Sequence, residues 1–66
     1  MMADIVIYRN RPRLGKATIL AQTGKGQGWL EKETFHDASR PVIIESENSE
    51  DMKQEMERFN LKVEIL

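Results

Sequence analysis

The segment 41–66 changes its hydrophobic period twice, and this pattern constrains the fold more than any other feature of the sequence. It begins with Val42-Ile43-Ile44, an apolar run that predicts a strand covered on both faces. Three apolar residues then recur at the i, i+4 and i+7 positions of one helix face: Met52, Met56 and Phe59. Three more apolar residues alternate with charged residues, as in a strand with one solvent-exposed face: Leu61, Val63 and Ile65. The segment therefore predicts a strand, a helix and a second strand.

Capping residues support this helix at both ends. Residues 46–51 supply serine and asparagine side chains that can accept hydrogen bonds from the first turn. The same residues include acids, which suit the positive end of a helix dipole. At the other end, Asn60 can adopt the left-handed conformation that terminates a helix. The helix is therefore expected between these two signals.

The amino half of the chain predicts two strands joined by a loop. Residues 5–8 and 17–21 are short apolar runs of the kind found in strands. Between them, Pro12 and Gly15 interrupt any regular structure. We find no internal repeat and no linker, so the chain is expected to form one domain.

The glycine-rich stretch after the second predicted strand has two structural interpretations. It is either a helix that begins at Gly24 with Thr23 as its N-cap, or a β-hairpin with residues 24–27 as the turn. Glycine costs up to about 1 kcal/mol against alanine inside a helix, so three glycines here disfavour the helix. Local propensity alone does not decide between the two.

The same stretch does not fit a phosphate-binding loop. A dinucleotide-binding turn has the pattern G-x-G-x-x-G, in which the glycines let the backbone approach a pyrophosphate. Here the third glycine, Gly28, comes one position early, and Trp29 stands where close helix packing is needed. The Walker pattern G-x-x-x-x-G-K-[ST] has no match in the sequence. We therefore predict no cofactor.

An ordered set of motifs runs through residues 17–65: an apolar strand, Thr-x-x-Gly-x-x-Trp-Leu-Glu, Val-Ile-Ile-Glu, and Glu-Asp-Met-x-x-Glu-Met followed by Asn-Leu-x-Val. The positions that carry it are Thr23, Gly26, Trp29, Leu30, Glu31, Val42, Ile44, Glu45, Glu50, Asp51, Met52, Met56, Leu61 and Val63. In this order the chain resembles a group of short phage- and prophage-encoded α/β proteins. It departs from them at Asn48, where an aromatic residue is common, and at Asn60, where glycine is usual. The resemblance implies a helix from Gly24 to Glu33 and brings no activity with it.

Together these signals predict a single small domain over residues 1–66, of the α/β (α+β) class and ordered β-β-α-β-α-β. We expect a mixed sheet of about four strands with both helices on one face. The predicted core comprises Ile5, Ile7, Ile19, Trp29, Leu30, Val42, Ile44, Met52, Met56, Phe59, Leu61 and Val63.

The composition excludes several kinds of site. The chain has no cysteine, which excludes disulfides and thiolate-bound zinc, and its single histidine, His36, disfavours a dedicated metal site. At 66 residues it lies near the lower limit for a domain that buries its own core, so a homodimer and a monomer are both open. No apolar stretch approaches the roughly 18 residues of a membrane span, and the first residues lack the basic start of a signal peptide. We therefore predict a cytoplasmic protein with no membrane contact.

Basic residues are concentrated in the amino half, although the whole chain has a net charge of −1. The candidate partner-binding residues lie in the loop after the first strand and in the glycine-rich stretch: Arg9, Arg11, Arg13, Lys16 and Lys25. They are typical of a solvated loop that protects an edge strand, of a surface for another protein, or of contacts to nucleic-acid phosphates. Few aromatic residues are available for base stacking, which weighs against nucleic acid.

No set of residues predicts catalysis. His36, Asp37 and Ser39 are the residue types of a catalytic triad, but triads are assembled from distant parts of a chain and not from one loop. The acidic residues around the second helix would need a cleft that shifts one pKa, and a chain of this length has little volume for a cleft.

We therefore predict a non-enzymatic binding protein without catalytic or metal-ligating residues. The resemblance adds that it is a phage or prophage accessory factor that modulates a host macromolecule, with an unknown host protein as the partner. The alternative is a small nucleic-acid-binding module that uses the basic loop 9–16.

Overall fold

A computed structural model describes residues 2–9, 16–45 and 48–66 of the chain. Its elements are β1 (Ile5–Arg9), β2 (Lys16–Ala21), α1 (Gly24–Thr34), β3 (Val42–Glu45), α2 (Ser49–Glu57) and β4 (Val63–Ile65). The predicted order β-β-α-β-α-β and the small α+β fold are confirmed. The prediction of a loop between the first two strands falls on residues 10–15, which lie outside the described residues.

The four strands form one mixed sheet in the order β3-β2-β1-β4. β2 runs antiparallel to both β1 and β3, whereas β4 runs parallel to β1. In this register Ile7 of β1 lies between Ile19 of β2 and Ile65 of β4. β3 and β4 are therefore the two edges of the sheet, and β1 and β2 lie at its centre.

Both helices pack on the same face of the sheet, which we call the core face. Ile5, Ile7 and Ile19 are fully buried on this face. Leu30 of α1 and Met56 of α2 belong to the same buried cluster. Its other buried members are Ala17, Ala38, Val42 and Leu61, and the partly buried residues packed against it are Ala21, Trp29, Ile44, Met52, Val63 and Ile65. The expectation of two helices on one face is confirmed.

Phe59 is the one predicted core residue that lies on the surface. α2 ends at Glu57, so Phe59 falls in the turn beyond the helix, and its side chain is 52% exposed. Its ring contacts Trp29, with the ring centroids 6.0 Å apart. The prediction that Phe59 shares a buried helix face with Met52 and Met56 is thus wrong, because α2 ends before Phe59.

The glycine-rich stretch forms the start of α1 and not a hairpin. Thr23 is the N-cap, and its hydroxyl oxygen accepts a hydrogen bond from the backbone N–H of Gly26 at 3.1 Å. Gly26 also passes close to β1, since a Cβ atom there would overlap the carbonyl oxygen of Asp4 and lie 3.0 Å from its carbonyl carbon. No atom lies within 4 Å of a Cβ placed at Gly24 or Gly28. Of the three glycines of α1, only Gly26 is therefore required by its contacts.

Three further ends of helices follow recognisable capping rules. Asn48 is the N-cap of α2, and its side-chain oxygen accepts from the N–H groups of Glu50 and Asp51 at 3.0 and 3.2 Å. Asn60 has a φ of 67°, which confirms the predicted left-handed residue after α2. Phe35 ends α1 in the same conformation, with a φ of 59°, and its side chain is 92% exposed.

Candidate protein-binding face

The face of the sheet opposite the helices carries its own set of side chains. Because side chains alternate along a strand, the residues between the core positions point to this second face. We call it the open face, and its residues are Val6, Tyr8, Lys16, Thr18, Leu20, Ile43, Glu45, Glu64 and Leu66. Both helices pack on the core face, so neither of them covers it.

A row of side chains crosses all four strands of the open face. The register places Ile43 of β3 beside Thr18 of β2, and Thr18 beside Tyr8 of β1. Leu66 extends the pairing of β4, because its N–H donates to the carbonyl oxygen of Ile7 at 2.9 Å. This bond places Leu66 next to Tyr8. We call these four residues the cross-strand row: Ile43, Thr18, Tyr8 and Leu66.

Three of the four residues in the cross-strand row are exposed large hydrophobic residues, and the fourth, Thr18, is polar and half-buried. Ile43 is 66% exposed, Leu66 55% and Tyr8 39%. Below the row along the strands lie Leu20, which is half-buried, and Val6, which is buried. The prediction that β3 is covered on both faces is therefore wrong, because Val42 is buried on the core face whereas Ile43 faces solvent.

Charged side chains lie at the rim of the open face and not within it. Lys16 is the cross-strand neighbour of Glu45 at one end of the sheet, so opposite charges are adjacent there. Glu64 lies on the edge strand β4, beside Val6. An apolar centre with a charged rim is the usual composition of a protein-binding surface.

A groove lies where β3 meets the loop before it. It has a volume of about 350 Å³ and is lined by His36, Asp37, Arg40, Pro41, Val42 and Ile43. Ile43 belongs to both the groove and the cross-strand row.

The three predicted partner-binding residues that the structure describes, Arg9, Lys16 and Lys25, do not form a single patch. Arg9 and Lys16 lie at the same end of the β1–β2 pair, but their register positions point them to opposite faces of the sheet. Lys25 lies at the other end, where its Nζ donates to the carbonyl oxygen of Asn60 at 2.5 Å. Arg11 and Arg13 lie outside the described residues.

Asp4 joins three elements at the end of the sheet that holds Lys25. Its Oδ1 accepts from the Thr23 hydroxyl at 2.6 Å, and its Oδ2 accepts from the N–H of Lys62 at 2.8 Å. The hydrogen bond from Lys62, and then that from Thr23, lowers the pKa of Asp4 below its usual value. All these partners are groups of the fold itself, so Asp4 has a structural role in the start of α1 and of β4.

The loop that contains His36, Asp37 and Ser39 is not arranged as a triad. Asp37 Oδ1 accepts from the hydroxyl of Ser39 at 2.7 Å and from its N–H at 3.0 Å. These two bonds lower the pKa of Asp37. Because the Ser39 hydroxyl donates to a carboxylate, it does not donate to the His36 ring as a nucleophile would.

Other kinds of site find no support in the described part of the chain. Within residues 2–9, 16–45 and 48–66, no three His, Cys, Asp or Glu side chains are grouped so that they could hold a metal ion. Over the same ranges, no helix has the length and apolar character needed to cross a membrane. Comparison with protein-family models, with curated proteins and with solved structures finds no match.

Sequence patterns singled out only Lys16 among the residues of the open face as a candidate binding residue. Tyr8, Leu20 and Ile43 have the character of ordinary strand residues, whereas the basic loop stands out by its charge. One signal was available in the predicted fold. When both helices pack on one face of a sheet, they leave the other face uncovered. The apolar residues at the alternate strand positions could have been assigned to that face on this ground.

Proposed function

We propose that this protein is a non-enzymatic binding protein whose open face contacts another protein. The observation that carries the proposal is the cross-strand row, in which Ile43, Tyr8 and Leu66 expose apolar side chains across the full width of the sheet. Single exposed apolar residues are common on any surface, but several on the same face of a sheet are typical of an interaction site.

The surroundings of the row support this proposal. Lys16, Glu45 and Glu64 lie at the rim, where exposed charges can orient a partner without being buried. The absence of enzymatic activity is part of the proposal, and the hydrogen bond from Ser39 to Asp37 supports it, because that bond occupies the Ser39 hydroxyl.

The biological setting is carried by the resemblance alone. On that ground we propose a phage or prophage accessory factor that acts in the cytoplasm on a host macromolecule. The partner in this setting is a host protein, and its identity is a matter for experiment.

Affinity capture with two matched variants tests the proposed function. The protein is immobilised and exposed to a bacterial lysate, in parallel with Ile43→Lys and Phe35→Asn. Both changes replace a strongly exposed apolar side chain, but only Ile43 lies on the open face. We expect captured proteins to be lost with Ile43→Lys and kept with Phe35→Asn. Capture that is indifferent to Ile43→Lys would contradict a role for this face.

A nucleic-acid-binding module is the second candidate, and one observation favours it. Arg9 and Lys16 lie at the same end of the β1–β2 pair, and Arg11 and Arg13 fall between them in the sequence. Phosphate contacts make affinity fall steeply with salt concentration, because bound counterions are released. Binding to mixed DNA and RNA should therefore be measured at two salt concentrations, with the Arg9→Ala, Arg11→Ala, Arg13→Ala triple variant as the control. Salt-sensitive binding that the triple variant loses would favour this candidate over the first.

A further inference from the structure

We propose that the open face binds a second copy of this chain, related to the first by a two-fold axis that runs parallel to the strands. The inference rests on the proposed function, because it uses the same face, where a host protein would compete with the second copy. The result would be two sheets packed face to face, with the helices of each copy on the outside.

The register fixes which residues meet under this axis. A two-fold axis parallel to the strands leaves each residue at the same height along the strand direction. It exchanges the β3 edge of the sheet with the β4 edge. β3 of one copy then lies over β4 of the other, and β2 lies over β1. Ile43 therefore lies over Leu66 of the second copy, and Thr18 lies over Tyr8 of the second copy. Packed sheets depart from this alignment by about 30°, which keeps these pairs within side-chain reach.

The remaining positions of the open face are also compatible with this symmetry. Leu20, which is half-buried, lies over the position of Val6 in the second copy, and because Val6 is already buried within its own copy the contact rests mainly on the cross-strand row. Glu64 lies over Pro41, the residue that precedes β3, and not over another acid. Lys16 and Glu45 lie beyond the row at one rim. No like charges of the described residues are placed opposite one another, so a second copy can approach this face without charge repulsion.

The size of the face sets the expected strength. Four strands about 4.8 Å apart and roughly five residues long give about 300 Å² per copy, or about 600 Å² in total. A standard stable interface buries about 1,200–2,000 Å². We therefore expect a weak dimer that forms at high micromolar concentration and exchanges rapidly. Pairing of two β4 edges is less favourable, because β4 has only 3 residues.

Self-association can be measured by sedimentation velocity from micromolar to millimolar concentration. We expect the dimer fraction of the natural sequence to rise over this range. Ile43→Lys alone and Leu66→Glu alone should each raise the dimer Kd by about tenfold or more, because each places an unpaired charge on an apolar residue of the other copy. Both side chains are largely exposed in one copy, so neither change should unfold the domain. Phe35→Asn is the control and should leave the Kd unchanged.

The double variant Ile43→Lys, Leu66→Glu tests the axis itself. Positions 43 and 66 lie on opposite edges of one sheet, so the introduced lysine and glutamate cannot pair within a single copy. Across the proposed axis each introduced lysine meets an introduced glutamate of the second copy, and the dimer should recover in a salt-sensitive manner. A double variant that stays as monomeric as the single ones would overturn the axis. A natural sequence that is monomeric at millimolar concentration would overturn the dimer, while capture from the lysate that still depends on Ile43 would leave the proposed function intact.

Discussion

The two helices pack on the same sheet but are specified in different ways. α2 has its determinants in its own sequence: Asn48 caps it, and Glu50 and Asp51 place acids in its first turn. α1 has no acid in its first turn and contains three glycines. Its N-cap Thr23 is itself held by Asp4, a residue of the segment before β1.

The comparison shows that a helix with weak local signals can be fixed by contact with a neighbouring strand. The first turn of α1 fits against the backbone of Asp4 only because Gly26 has no side chain. The glycine that lowers helix propensity thus permits the contact that positions the helix. We expect changes at this contact to be severe and changes at the cap of α2 to be modest.

The largest effect is expected from Gly26→Ala. Its Cβ would overlap the Asp4 carbonyl oxygen and meet the side chain of Ile5 at 3.1 Å, so β1 or α1 has to move. The expected loss is about 3 kcal/mol or more of unfolding free energy, a large part of the stability of a small domain. Urea denaturation followed by circular dichroism measures it.

Gly28→Ala is the matched control, because a Cβ there meets no atom within 4 Å. It should stabilise the protein by up to about 1 kcal/mol. Equal changes in unfolding free energy for the two substitutions would show that helix propensity, and not the close approach to Asp4, determines the stability of α1.

Trp29→Ala should come next, because Trp29 packs α1 on the core cluster and against Phe59. We expect a loss of about 3 kcal/mol from the missing contacts. Trp29→Phe should cost about 1 kcal/mol or less. It keeps a ring but removes Nε1, which is buried with no hydrogen-bond partner among the described residues. Thermal unfolding of both variants checks this, and a phenylalanine variant as unstable as the alanine one would contradict it.

Asn48→Ala should have a smaller effect and should act on α2 alone. It removes the acceptor for the N–H groups of Glu50 and Asp51, at a cost of about 1 kcal/mol. Asn48→Asp keeps an acceptor at the same position and is the control. Hydrogen exchange should show the first turn of α2 opening more often while α1 keeps its protection. Equal loss of protection in α1 would mean that the two helices are not independently capped.

The smallest effect on stability is expected at acid pH and comes from Asp4, which accepts a hydrogen bond from Thr23 at the start of α1. The pKa of Asp4 is lowered in the fold, so its ionised form stabilises the protein above the unfolded pKa of about 4. This contribution is lost as the pH falls below that value and through the lowered folded pKa. Asp4→Asn should therefore show a shallower loss of stability below pH about 4 than the natural sequence. Parallel acid curves for the two proteins would refute the role of the Asp4 charge.

The sequence predicted the parts of the fold that have local determinants. α2, its left-handed Asn60 and the alternating β4 follow from spacing and capping residues. α1 did not follow from propensity, since one of its glycines, Gly26, is required by the backbone of Asp4, a residue distant in sequence. Phe59 was misplaced because the helical period gives no sign of where a helix ends.

The candidate site was less predictable than the fold. A run such as Val42-Ile43-Ile44 does not tell whether one or two faces are covered, because that depends on where the helices pack. The basic residues were visible in the sequence, but their separation to two ends and two faces of the sheet depends on strand register. Residue types can be read directly from the sequence. Which residues lie together on one surface depends on how the strands pair and where the helices pack.

The parallel pairing of β1 with β4 has a consequence for biosynthesis. The N–H groups of Asp4 and Ile5 both donate to the carbonyl oxygen of Lys62, at 2.8 and 3.1 Å, although Asp4 and Lys62 are 58 positions apart. A ribosome must therefore release β4 before the central strand β1 is bonded on both sides. Contacts between such distant segments form slowly, so the nascent chain can make the β1–β2 pair but not the complete sheet. Folding of this domain is accordingly completed only after residues 61–66 have left the ribosome.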